Sequence, residues 1–229
     1  MKRTIFLAGF ALVAFIALSQ SGTRAVNMTF ADRFAAAAPV GVSGTYGFDK
    51  AHSAIGFKVR HNGLIDIPGF FRDFVGTVNY DANDVAKSTV EFTAKATSID
   101  TGVGGRDNHL RSADFFEVAK FPDVTFKSTK VQKKGKGWMV TGDFTMKGVT
   151  KTISFPISIA GFLPAGERSP ARMGFTAETK INRRDYGVNY GGNIPGTTTP
   201  VIADEIDIRI EVEATPPRPA APAAAPKTD

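Results

Sequence analysis

From Thr45 onward, apolar side chains return at every second position in one segment after another, the period of a strand with one buried face. In SAIGFKVRH, Ile55, Phe57 and Val59 share a face while Lys58 and Arg60 take the other. In FRDFVGTVNYD, Phe74, Val78 and Tyr80 align, with Gly76 where a barrel strand bends. STVEFTAKATSID sets Val90, Phe92, Ala94 and Ala96 against Glu91, Thr93 and Lys95. Trp138, Val140, Phe144 and Met146, then Ile153, Phe155, Ile157 and Ile159, flank Lys147-Gly148 and read as a hairpin. Met173, Phe175, Ala177 and Ile181 make another face, and in VIADEIDIRIEVEA the apolar Ile202, Ile206, Ile208, Ile210 and Val212 face away from the charged residues.

About eight such strands satisfy their backbone most simply by closing on themselves, because closure removes the edges that invite pairing with another chain. The pattern therefore predicts an all-β fold, an eight-stranded antiparallel barrel over residues 44–215; a two-sheet sandwich shows the same alternation and is the rival. Residues 104–122, GGRDNHLRSADFFEVAKFP, break the period, with Leu110, Phe115 and Phe116 among polar residues and Pro122 at the end. They predict one short helix laid across the barrel.

The two ends differ from this core. Lys2 and Arg3 precede an apolar run from Ile5 to Leu18 and then small residues, the layout of a cleaved secretory signal over residues 1–21. The run is shorter than the roughly 20 residues of a spanning helix, so no stable membrane anchor is expected, with a retained anchor as the alternative. Residues 22–43 read as a linker and 216–229, rich in Pro and Ala, as a disordered tail. With no Cys, no disulfide or thiolate cluster can form. The net charge of +6 falls to +4 without Lys2 and Arg3, and to about +2 once the flanks are set aside. So weak an overall field argues against a nucleic-acid partner.

Chemistry-bearing patterns are sparse. His52, His61 and His109 lack the paired spacing of a metal site, so no metal or other cofactor is expected. No G-x-S-x-G elbow occurs, the glycines of 103–105 and 190–196 read as turns, and most carboxylates fall on polar strand faces. The chain is therefore read as a non-enzyme. Its aromatic inventory says more: 19 Phe stand against 4 Tyr and 1 Trp. Phe57, Val59, Phe74, Phe92, Phe126, Phe144, Phe155 and Phe175 are the candidate lining of a dry interior for an alkyl or prenyl chain. A solidly packed core is the competing arrangement. Strands of about 10 residues tilted by about 40° enclose a lumen about 25 Å tall, matched to a long lipid tail.

The segments FDKAHSAIGFKVRH, GFFRDFVGTV, SIDTGVGGRDNHLRSADFFEVAKFPDVTF, GDFTMKGVTKTISFPI and NRRDYGV together resemble the YceI-like family of lipid- and polyisoprenoid-binding proteins, over about residues 45–214. The resemblance implies a lipocalin-like barrel, usually periplasmic, that receives an isoprenoid or fatty chain. The family's D-x-x-H-S falls on Asp49, His52 and Ser53, and its R-D-x-H-L block on Arg106, Asp107, His109 and Leu110, running on through Arg111 and Ser112 to Asp114, Phe115 and Phe116. His52, Arg106, His109 and Arg111 are thereby candidate headgroup contacts. Alternatively, Arg111 pairs with Asp107 and Asp114 and braces the helix. The resulting expectation is a periplasmic carrier or sequestering protein for an apolar lipid, with homodimerisation left open. Its rivals are a barrel enzyme using His52 or His109, and a stress-related protein-binding domain.

Overall fold

The computed structural model describes residues 41–135 and 137–217. The leader, most of the linker and nearly all of the tail lie outside them. Eleven strands form one antiparallel sheet: β1 (Gly44–Phe48), β2 (Ala54–His61), β3 (Ile65–Phe71), β4 (Phe74–Tyr80), β5 (Thr89–Lys95), β6 (Ile99–Asp100), β7 (Asp123–Lys134), β8 (Gly137–Met146), β9 (Val149–Leu163), β10 (Arg172–Asn182) and β11 (Ile202–Thr215), with one α-helix, α1 (Gly104–Arg111). The sheet runs β1-β4-β5-β7-β8-β9-β10-β11 and returns to β1, so it closes into a barrel. β11 also pairs with β2, which pairs with β3, which pairs with β6.

Eleven strands make eight staves because three staves are interrupted. β1 and β2 both lie along β11 and are separated by residues 49–53; β3 and β4 break at Arg72 and Asp73; β5 and β6 break at a 3-10 turn over Ala96–Ser98. The breaks sit side by side and are tied by backbone bonds, Asp49 N–H to Glu213, Lys95 N–H to Asp73 and Arg72 N–H to Ser98. Exposed ion pairs Lys50–Asp73 and Arg72–Asp100, at 2.6 and 2.9 Å, reinforce them modestly.

The alternation anticipated above places its apolar set inside: Ile55, Phe74, Val78, Val90, Phe92, Ala94, Val140, Phe144, Phe155, Phe175 and Ile210 are all buried. The β8–β9 hairpin turns at Lys147 and Gly148, with φ of 48° and 75°, the left-handed pair that a two-residue hairpin needs. Gly76 has a different reason from bending. A Cβ there would come within 2.4 Å of the Phe48 ring, so the missing side chain makes room for an aromatic inside the barrel.

β3 was hidden from a simple period by Pro68 and Gly69. Only Phe70 and Phe71 of β3 pair with β6, so Pro68 lies on a locally free edge where a missing N–H costs no ladder bond. Correspondingly, β5 pairs with β7 only as far as Lys95 and Asp123, and no β6–β7 pairing occurs among the described residues. Helix α1 and the turns after it fill this seam. The segment is thus a patch of barrel wall, where the sequence suggested only a crossing helix. No helix among the described residues is long and apolar enough to span a bilayer.

Candidate ligand-binding interior

Inside the barrel lie two apolar cavities with a packed aromatic layer between them. The larger, about 100 Å³, is at the α1 end, lined by Phe57, Val59, Phe144, Ile206 and Ile208 from strands and by Leu110, Phe115 and Phe116 from the seam segment. The smaller, about 30 Å³, is at the end where the β7–β8 hairpin projects, and its wall includes Tyr80, Val85, Trp138, Ile157 and Phe175. Phe74, Phe92, Phe126 and Phe155 line neither. Phe126 lies 6.0 Å from Phe92 and 5.1 Å from Phe155 between ring centroids, filling the middle of the lumen. A single open tunnel is therefore replaced by two chambers and a septum. An apolar cavity of roughly 150 Å³ admits benzene, so the larger chamber matches about one isoprene unit. A longer chain requires the Phe septum to turn aside.

The helix candidates are fully engaged. Asp107, 6 % exposed, accepts from the Thr101 backbone N–H at 2.9 Å and from its hydroxyl. Arg106 donates from Nε to the Thr101 hydroxyl at 2.7 Å and from Nη2 to the Thr101 carbonyl at 2.8 Å. Arg111 donates to the carbonyls of Thr97 and Ile99, at 2.8 and 2.7 Å, and to the Asn108 side chain. Bracing thus takes a form other than the anticipated Arg111–Asp pairs: the arginines fasten α1 to the β5–β6 break, and Asp114 instead pairs with His109 Nε2 at 2.8 Å. The His109 ring stands edge-on to Phe115 and Tyr190, with centroids 5.0 and 4.7 Å away, directly over the larger chamber's wall.

His52 lies elsewhere, on the outside of the β1–β2 break. Its Nδ1 is 2.7 Å from Asp49, which lowers the Asp49 carboxyl below its ordinary range and raises the His52 imidazole. Ligand atoms of Asp49, His52 and Glu213 lie within 4.8 Å of one another. Arg172 Nε, however, sits 2.9 Å from Glu213, so a metal ion would have to displace a guanidinium. The structure thus separates His52 from Arg106, His109 and Arg111.

Alternation did not single out two further residues. Arg183, 3 % exposed on the wall of the larger chamber, directs all five N–H groups inward: Nε to the Ala203 carbonyl, Nη1 to those of Val188 and Tyr190, and Nη2 to the Ile202 carbonyl and the Asp204 carboxylate. Burial lowers its pKa, but a guanidinium stays charged. Saturated in this way, it holds the 187–204 loop over the lumen and has no donor left for a headgroup. Tyr80, 3 % exposed beside the smaller chamber, is the opposite case: its hydroxyl finds no partner among the described residues. Burial also raises its pKa.

A family model described as YceI-like domain matches residues 46–214. The chain belongs to the YceI-like family. It is 36 % identical over 192 residues to Protein YceI of Escherichia coli O157:H7, covering 82 % of this chain and 95 % of that one. Its fold is similar to that of the Campylobacter jejuni YCEI protein, with a TM-score of 0.59, 33 % identity and coverage of 74 % and 96 %. A polyisoprenoid binding domain from Saccharophagus degradans, implicated in plant cell wall breakdown, shares the fold at a TM-score of 0.56 and 14 % identity, covering 77 % of this chain and all of that one (100 %). Among YceI-like barrels, this chain thus keeps the family's D-x-x-H-S and R-D-x-H-L residues at two separated places, the outer break and the seam.

Proposed function

We propose that this YceI-like chain is a carrier or sequestering protein that takes a polyisoprenoid or fatty chain into its barrel, working in the periplasm to which its leader directs it. The observation that carries the reading is the larger chamber, whose wall is apolar apart from Arg183, itself fully hydrogen-bonded. Among the described residues, neither chamber is lined by a His, Asp or Glu that could act as acid or base on a bound molecule. Binding by burial therefore fits this interior better than turnover. Each buried methylene contributes about 0.8 kcal/mol, against the cost of turning the septum rings out of their packing. The polyisoprenoid binding described for the Saccharophagus degradans domain supports the ligand class.

The deciding experiment is mass spectrometry of an organic extract from natively purified protein, with calorimetry against prenyl and fatty-chain ligands. A stoichiometric long-chain lipid is the expected result. Protein that yields no lipid and takes up none would end the proposal.

A further inference from the structure

The modest overall charge conceals a local concentration. Five lysines fall within ten residues of the β7–β8 hairpin, at positions 127, 130, 133, 134 and 136. Among the described residues, Lys127 reaches Glu91 at 4.0 Å, while Lys130, Lys133 and Lys134 make no ion pair. Register gives them a common direction. Lys130 and Lys134 oppose Thr141 and Gly137 on the outer face; Lys133 opposes Trp138, which lines the smaller chamber, and so stands at the mouth of the lumen.

The acidic residues nearby do not answer this charge. Asp81 accepts the N–H groups of Asn83 and Asp84, Asp84 caps Ala86 and pairs with Lys87 at 3.7 Å, and the neighbouring 164–171 loop adds Arg168 against Glu167. The same rim leaves Val42 and Leu163 exposed, at 75 % and 59 %. Cations without partners, two exposed apolar side chains and a Trp at the base of the hairpin form the combination that seats on a charged lipid interface. The opposite end also exposes apolar residues, Leu64 and Ile65, but its basic residues are neutralised, Arg60 by Asp66 and Arg184 by Asp204, or spent on backbone carbonyls.

We infer that the β7–β8 hairpin end docks on the surface of an anionic phospholipid bilayer and presents the mouth of the barrel to it. The inference deepens the lipid-carrier reading and rests on it for its purpose.

The test is sedimentation of the chain, as purified from the cell, with vesicles of phosphatidylcholine alone or containing one quarter phosphatidylglycerol. Binding is expected only to the anionic vesicles, and to fade as salt shortens the screening length from about 10 Å at 0.1 M to about 3 Å at 1 M. The K130E/K133E/K134E variant should lose at least roughly tenfold in apparent affinity, whereas K58E/K120E/K147E, with the same charge change elsewhere, should keep it. Should the first variant fail to fold by circular dichroism, K130Q/K133Q/K134Q replaces it. Equal binding by wild type and hairpin variant, equal loss in the control variant, no vesicle binding at all, or capture by soluble heparin in place of vesicles would each overturn the docking surface. Lipid extracted from the interior is measured on the same samples. Its presence without vesicle binding removes the docking surface alone, and vesicle binding by protein that never carries lipid removes the carrier reading alone.

Discussion

At the α1 end of the barrel the strands hand over to irregular chain, and that chain is fastened by guanidinium groups: Arg106 and Arg111 on the β5–β6 break, Arg183 and Arg184 on the loop after β10. At the other end β7 to β10 run on past the lumen as paired strands, and the side chains above it are lysines without acidic partners, with one buried phenol left unbonded. The contrast follows from backbone hydrogen bonding. Irregular chain drawn over an apolar interior has carbonyls that need donors, and arginine supplies several from one side chain. Paired strands satisfy their own backbone, which leaves their side chains available for other purposes.

The strongest way to break this contrast is Arg183→Ala. It would strand five acceptors, one of them charged, and should lower unfolding stability by about 3–5 kcal/mol in urea titrations. A loss below about 1 kcal/mol would mean that the loop is held by something other than Arg183. Next in size is Val59→Phe, which fills the larger chamber. Long-chain lipid affinity should fall by at least about tenfold, since a displaced isoprene unit of five carbons carries about 4 kcal/mol, while stability changes by less than about 1.5 kcal/mol. Unaltered affinity would place the chain elsewhere.

Tyr80→Phe sharpens the other end. Removing a buried, unbonded hydroxyl should be neutral or stabilise the empty protein by about 1 kcal/mol; a clear loss of stability would show that the hydroxyl is satisfied after all. The smallest effect concerns the outer break. The His52 contribution is fully present below its ordinary value of 6.5 and is lost as pH rises through the raised one. That of Asp49 is present above its ordinary 3.8 and is lost as pH falls through the lowered one. Melting temperature should therefore decline slightly on the alkaline side of neutrality, and His52→Ala should flatten that decline. An identical profile in the variant would detach the pair from stability.

The barrel was legible because a closed sheet with one wet face imposes a period of two, and Val90, Phe92 and Ala94 or Ile206, Ile208 and Ile210 display it openly. Alternation tells inside from outside but carries no information about height along the axis. For that reason it grouped Phe57 and Phe144, which line a chamber, with Phe92 and Phe126, which fill the septum. The seam was only half legible. Leu110, Phe115 and Phe116 were conspicuous as apolar residues out of phase, but the need for a wall patch there arises from the parting of β6 and β7, a long-range fact. Arg183 looked like any surface arginine because its burial depends on a loop folding back over it.

The seam between β6 and β7 has a mechanical consequence. Elsewhere, widening the barrel means stretching rungs of amide hydrogen bonds all at once. Here the two margins are spanned by side-chain packing, Phe116 against Phe71 with ring centroids 5.8 Å apart. Such contacts yield gradually as they slide. The girth of the vessel is therefore adjustable along one line only, and a swollen, loaded form would gape there while its remaining staves kept their stitching.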